Sequence, residues 1–288
     1  MAEAIGPTIR RMQLGKQLTQ VRKEAGFSTP KAAVEALDIS EAQYRRVELG
    51  LSGFRKLADL VGVLKHFGVT DKDDLAHFTS LHKDGQNRGW WSSYAKTMSS
   101  GMKIYVGLED GAKSIRAWQP GVVHGLLQTE RYAQALFATH KPVDELTTEE
   151  VMRGVELRME RREILARENP VEFRVVLDEA ALRREVGSQE VMHEQYEELI
   201  KLCERSNVFI HVIPMNKPAY RCQADFAVLD FGEGLPTAVQ MDMTDGEVRM
   251  TDKDAEVRTY TRRFDALRDG ALSTDETSKF LHQLTRKS

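Results

Sequence analysis

Cysteine is nearly absent from this sequence. The 288 residues contain two, Cys203 and Cys222, and neither belongs to a Cys-x-x-Cys pair. No disulfide framework can be built from them, and two reduced thiols in a cytoplasmic protein are the expectation. Long apolar runs are missing as well. No stretch approaches the ~18 uninterrupted apolar residues of a membrane helix. Arg10, Arg11 and Lys16 are not followed by the apolar core of a signal peptide. The loops that cradle phosphates, Gly-x-Gly-x-x-Gly and Gly-x4-Gly-Lys-Ser/Thr, do not occur, nor does a Gly-x-Ser-x-Gly elbow. His193-Glu194 begins like a zinc-protease His-Glu-x-x-His, but residue 197 is Glu, so the second ligand is lacking. Asp178 and Glu179 are adjacent, so they do not share a face, and Asp178 reads as a helix cap. His211 alternates with apolar strand residues and reads as a satisfied sheet-face histidine. The sequence therefore predicts no enzyme, no metal and no cofactor.

Charge is distributed more tellingly than its total. The net charge is -3, but residues 1 to 56 hold ten Lys/Arg against six Asp/Glu. A basic N-terminal module on an acidic body can grip phosphates locally without coating DNA indiscriminately. The chain is also long enough for two domains.

The stretch from Ser40 to Gly50 gives that module a purpose. Ser40 is a good N-cap, Gln43 completes a Ser-x-x-Gln capping box, and Gly50 stands where a helix should stop. Tyr44 and Val47 fall on one face, with Ile39 just ahead of the cap, so this face can dock on a core. The other face carries Glu41, Ala42, Gln43, Arg45 and Arg46. Gln can read adenine, Arg can read guanine, and a small residue lets the backbone approach. These five are the candidate base contacts.

The flanks fit this reading. Met12 to Ala25 places Leu14, Leu18 and Val21 on one helical stripe, and Gly26 ends it. Ser28 or Thr29 caps a second helix with Pro30 in its first turn and Ala33, Val34 and Leu37 apolar. Only Asp38 and Ile39 then precede Ser40. Two short helices joined by a tight turn, the second with a polar-basic face, make a helix-turn-helix pattern. Leu57 to Phe67 supplies another apolar stripe. Lys16, Lys31, Ser40, Arg55 and Lys56 are the candidate phosphate contacts, which position rather than specify. Arg10 and Arg11 read as solvated helix-start charges.

LGKQLTQVRKEAGFS followed by ISEAQYRRVELG resembles the repressor-type (Xre-like, lambda-Cro-like) helix-turn-helix regulators. Ser40 and the Glu48-x-Gly50 ending match that family's pattern. Ser28-Thr29-Pro30-Lys31 and Gly53-Phe54 depart from it. GWWSSYAKTM, IRAWQPGVVHGLLQTERYAQAL, ELRMERREIL, VVLDEAALRREVG and VFIHVIP resemble the C-terminal domain of an actinomycete group of such regulators, often described as antitoxin-like. The resemblance implies a DNA-binding regulator whose C-terminal domain pairs two copies and receives a signal or a partner.

Further along, Asp71 to Leu81 reads as a last short helix, and Gly85 and Gly89 mark a boundary between domains 1–84 and 90–288. Trp90, Trp91 and Tyr94 anchor packing. Gly101 to His140 reads as helices, with Trp118 to Gly121 as a turn. Thr147-x-x-Glu150 is a capping box that opens a charged helix. Its Arg153, Arg158, Arg161 and Arg162 interleave with Glu156, Glu160, Glu163 and Glu168, which reads as paired charge on a solvated or subunit-facing helix. Glu172 to Leu177, Val208 to Ile213, Phe226 to Phe231 and Ala238 to Met241 read as strands. Gln189 to Arg205, Asp252 to Asp269 and Ser273 to Leu284 read as helices. The expected fold is a mainly α helix-turn-helix bundle followed by an α+β domain with a small sheet.

The function these readings favour is a sequence-specific DNA-binding transcriptional regulator. Its recognition helix, Ser40 to Glu48, would enter the major groove of double-stranded DNA. One such helix reads few base pairs, so a homodimer on two half-sites is expected. The alternative is an antitoxin-like protein that binds a small partner protein encoded nearby and autoregulates its operon. A small-molecule effector is a further expectation, with Trp118, Tyr132 and the sheet face around His211 as possible pocket walls. No membrane partner is expected.

Overall fold

A proline starts the first helix. Pro7 opens α1 (Pro7–Glu24), because its fixed φ suits the first turn and its missing N–H is not needed there. The helix thus begins before the expected Met12. The described residues are 6–232, 234–243 and 248–286 in this computed structural model. The chain divides into two compact units, Met1–Ser92 with Glu233–Leu235 and Ser93–Gly232 with Pro236–Ser288.

Among its described residues the first unit holds five α-helices: α1, α2 (Pro30–Val34), α3 (Glu41–Glu48), α4 (Leu57–His66) and α5 (Lys72–Gln86). Three of them end alike. Gly26, Gly50 and Gly68 take positive φ after α1, α3 and α4. In each case two backbone N–H groups return to the last turn, as with Gly50 N to Val47 O and Leu51 N to Arg46 O, both 2.9 Å. Leu14, Leu18, Tyr44, Val47, Leu60, Leu64 and Phe78 form the core between the helices. α5 runs past the expected Leu81. Gly85 is buried inside it rather than marking a loop: its carbonyl accepts from Arg11 Nη1 at 2.7 Å, and Arg11 Cγ occupies the space beside its Cα. Arg11 is therefore a packing residue, not a solvated one.

The second unit is built on a six-stranded mixed sheet, larger than expected. Its strands are β1 (Ser114–Gln119), β2 (Glu172–Asp178), β3 (Val208–Ile213), β4 (Phe226–Asp230), β5 (Ala238–Asp242) and β6 (Val248–Thr251), in the order β3-β2-β1-β4-β5-β6. β1, β2 and β3 are parallel, while β4, β5 and β6 add as an antiparallel meander. β1 and β6 contradict the sequence reading, which made 101–140 helical and assigned no strand after Met241. β1 lies in the middle of the sheet, yet Ser114, Arg116 and Gln119 interrupt its apolar pattern. Trp118 belongs to this strand and not to a turn.

The helices are α6 (Ser100–Gly111), α7 (Glu130–His140), α8 (Thr148–Arg161), α9 (Glu179–Arg183), α10 (Gln189–Cys203), α11 (Asp254–Gly270) and α12 (Thr274–Thr285). α11 lays Phe264 and Leu267 on one sheet face, against Trp118, Val176, Phe226, Val228 and Val239. Both expected capping boxes, at Thr147 and Ser273, are formed. Asp178 caps α9 as expected, accepting from Ala180 N at 2.9 Å. The arginines of α8 depart from expectation. Arg161 is buried against Glu109 and Arg158 is half-buried, so this helix does not offer a uniformly solvated charged face.

Candidate nucleic-acid interface

α3 is short, and its ends define it. Ser40 Oγ accepts from Gln43 N at 3.2 Å. The Gln43 side chain does not return the bond, so only half of the expected box is made. Tyr44 and Val47 are 0% and 1% exposed and fix the inner face. Glu41, Ala42, Arg45 and Arg46 are exposed, while Gln43 is half-buried. The five candidate base contacts therefore share one short helix, four of them open to solvent.

The helix is fastened from beneath by a pair that sequence reasoning missed. Arg22 of α1 donates from Nε to Glu48 Oε1 at 2.6 Å and from Nη1 to the Phe27 carbonyl at 2.6 Å. Both side chains are almost sealed, at 5% and 7% exposure. Gly15 permits this approach: a Cβ there would lie 2.4 Å from the Glu48 carbonyl oxygen. Signals for both existed in the sequence. Arg22 falls four residues after Leu18 on a buried stripe, and Gly15 is an unpaired glycine inside a helix. Tyr44 lies beside this pair, and burial together with the Glu48 carboxylate pushes its hydroxyl well above the usual phenol range. Because Arg22 neutralises Glu48, the exposed face of α3 is left with Glu41 against Arg45 and Arg46, a net positive surface.

The candidate phosphate contacts are placed unevenly. Lys31, Arg55 and Lys56 are exposed. Ser40 is exposed, but its hydroxyl is already engaged as the cap. Lys16 is exposed, and its ammonium donates to the carbonyl of Gly234 at 2.5 Å. Glu35 and Asp38 in the turn before α3 are exposed acids, so the exposed candidate cations nearest α3 in sequence are Lys31 ahead of it and Arg55 and Lys56 after it. Elsewhere in this unit a cleft of about 430 Å³ is lined by Val21, Phe67 and Phe78 with Glu24, Asp71 and Asp74. Its carboxylates would repel a phosphate.

Leu49, Leu51 and Leu57, which follow α3, are 47%, 38% and 37% exposed. The expected effector walls in the other unit are less accessible. Trp118 is fully buried and its indole N–H donates to the Cys222 carbonyl at 2.8 Å. Tyr132 is fully buried with its hydroxyl accepting from Val123 N. His211 Nδ1 bonds the Leu272 carbonyl at 2.9 Å, which satisfies it as a sheet-face histidine. Neither aromatic is presented to a ligand. Cys203 and Cys222 are free thiols. Among the described residues no cluster suited to a metal occurs and no helix is long and apolar enough to cross a membrane.

Residues 102–283 match the family described as Domain of unknown function (DUF5753), which leaves α1 to α5 outside the match. No curated protein matches the sequence.

Proposed function

The chain belongs to the DUF5753 family, and we propose that its helical first unit makes it a sequence-specific DNA-binding transcriptional regulator of the repressor helix-turn-helix type. α2 and α3 are its helix-turn-helix, and α3 enters the major groove. The observation that carries this reading is the two-sided build of α3. One side is pinned by Tyr44, Val47 and the buried Arg22–Glu48 pair, while the other offers Glu41, Ala42, Gln43, Arg45 and Arg46. Rigid support beneath a polar, net positive face is what base readout requires. Gln43 and Arg45 take base edges, Arg46 a base or phosphate, and Lys31, Arg55 and Lys56 the backbone. The protein acts as a homodimer on two half-sites.

A second reading has an observation of its own. The exposed leucines at 49, 51 and 57 support a protein contact beside the reading helix. In the antitoxin-like reading that contact is with a small partner protein, and DNA binding is autoregulatory.

Fluorescence anisotropy tests the proposal, on a labelled fragment from upstream of the gene and on its scramble. Arg45→Ala should cost about 1–3 kcal/mol on the native fragment and little on the scramble. Lys31→Ala should weaken both alike and reduce the salt slope by about one. Equal binding of fragment and scramble, unmoved by Arg45→Ala, would sink the reading.

A further inference from the structure

Arg158 and Arg161 stand one turn apart on α8, and they are completed differently. Arg161 offers its Nε/Nη2 edge to Glu109 of α6 in two parallel bonds of 2.7 and 2.8 Å. That pair is buried on both sides. Arg158 donates from Nη1 to the neutral amide oxygen of Gln128 at 2.8 Å. Its own Nε/Nη2 edge meets no acceptor among the described residues, and no carboxylate there lies within ion-pair range of it.

The surroundings hold this guanidinium still. Its Cζ lies 4.9 Å from the ring centre of Phe137. Phe137 in turn rests on Gly154, where a Cβ would come within 2.9 Å of the ring. Gln128 cannot flip its amide, because its Nε2 donates to the Val123 carbonyl at 2.7 Å. Gly125 stands between the two guanidinium groups: its missing Cβ would lie 3.7 Å from Arg158 Nε and 3.6 Å from Arg161 Nη1. The arginine is half-buried, so the edge is not sealed off. Burial, then the charge of Arg161, pulls Arg158 down to about 10, while Glu109 and Asp242 act in the opposite sense. A cation so placed gains from an added anion.

The position also fits a ligand. Gly125 and Gln128 belong to the segment that leaves the carboxyl end of β1. There the sheet has a parallel neighbour, β2, on one side and an antiparallel one, β4, on the other. In open α/β sheets ligands bind outside the carboxyl ends of the strands, the end at which β1 and its parallel neighbours β2 and β3 stop.

We propose that the Nε/Nη2 edge of Arg158 anchors a binding site for a small molecule carrying a carboxylate or phosphate. It holds the anion by two parallel charge-assisted hydrogen bonds, as Arg161 holds Glu109. The site rests on the C-terminal unit alone and stands whether or not α3 reads DNA.

Thermal unfolding of the full chain tests this in succinate and in inorganic phosphate, each against chloride at matched ionic strength. The wild type should gain roughly 5–10 °C in one of the two anions as its concentration passes ~100 times Kd. Which anion does so distinguishes a carboxylate ligand from a phosphorylated one. Arg158→Gln and Arg158→Lys should both lose the gain, since Lys keeps the charge without the fork. Gly125→Leu should lose it with Arg158 intact; its Cβ makes only ordinary contacts, with Arg161 as well as Arg158, so this variant serves if the Arg158 variants do not fold, provided that its melting temperature in chloride matches the wild type's. No gain in the wild type overturns the proposal. So does a gain that Arg158→Lys or Gly125→Leu shares, which would mark a general salt effect.

Discussion

Removing the Glu48 carboxylate should loosen α3 without touching its exposed face. In the native state Glu48 receives two hydrogen bonds from Arg22, at 2.6 and 3.4 Å, with both side chains almost excluded from water. Glu48→Ala leaves the guanidinium buried with only the Phe27 carbonyl as partner. Breaking one side of a buried pair in this way costs about 3–5 kcal/mol, mostly because the remaining charge is uncompensated. The assay is hydrogen exchange followed by mass spectrometry on peptides covering residues 41–48 and 14–24. A loss of ~3 kcal/mol lowers protection there by roughly 150-fold if exchange proceeds through opening of this unit. Protection in β1 to β3 should not change. The double variant Arg22→Met with Glu48→Leu should recover most of the protection, because an apolar pair of similar volume needs no neutralisation. A fall of less than about fivefold in Glu48→Ala would refute the reasoning. So would a double variant no better than the single one, since the penalty is assigned to the stranded Arg22 charge.

Three further outcomes follow from packing and protonation. Gly15→Ala should lower the stability of the first unit by about 1–3 kcal/mol in urea titrations, because the new Cβ meets the backbone oxygens of Glu48 and Val47 at 2.4 and 2.6 Å, and backbone cannot rotate aside. Phe264→Ala should cost about 3–5 kcal/mol, since Phe264 is fully buried among Trp118, Phe226 and Val228. His124 is held at about 3, below its ordinary 6.5, by burial and then by Arg161 and Arg158. Its folded value is depressed, so its neutral form favours folding above pH 6.5, and stability falls with falling pH at up to ~1.4 kcal/mol per unit from one proton. His124→Asn can still accept the Leu126 N–H that Nδ1 now holds, and its urea midpoint should drop less than the wild type's between pH 7 and pH 5.

The parts of this fold that were readable in the sequence are those specified within a few residues. α3 needed only Ser40, Tyr44, Val47 and Gly50, because a cap, a two-residue inner face and a positive-φ stop all lie inside one span of eleven residues. The boxes at Thr147 and Ser273 were readable for the same reason. β1 was not. Its place in the middle of the sheet depends on β2 and β4, whose residues arrive more than fifty positions later. Its own alternation is masked by Arg116, which lies over the Phe264 ring at 6.0 Å and so behaves as part of an apolar face. The candidate interface was readable as a surface and unreadable as a support. Side-chain types along α3 name its outer face, whereas the closeness of Gly15 and the partner of Arg22 depend on how α1 and α3 cross.

α8 shows where periodicity itself misleads. Val151, Val155 and Met159 make an apolar stripe, and the arginines lie off it, which reads as a solvated face. That inference assumes that a buried face must be apolar. A guanidinium can occupy a buried face when a carboxylate meets it, and Glu109, fifty-two residues earlier, does so for Arg161. Nothing near Arg161 in sequence announces this partner. Once one arginine of the helix is known to be held in this way, its neighbour becomes informative. Arg158 shares its side of α8 and its planar chemistry and is half-buried, but it has an amide where Arg161 has an acid. Burial of a charge requires compensation from somewhere. Among the described residues the nearest supply is either spent on Arg161, as Glu109 is, or lies on an exposed strand end, as Asp242 does. A ligand that brings its own negative charge completes the second fork as Glu109 completes the first.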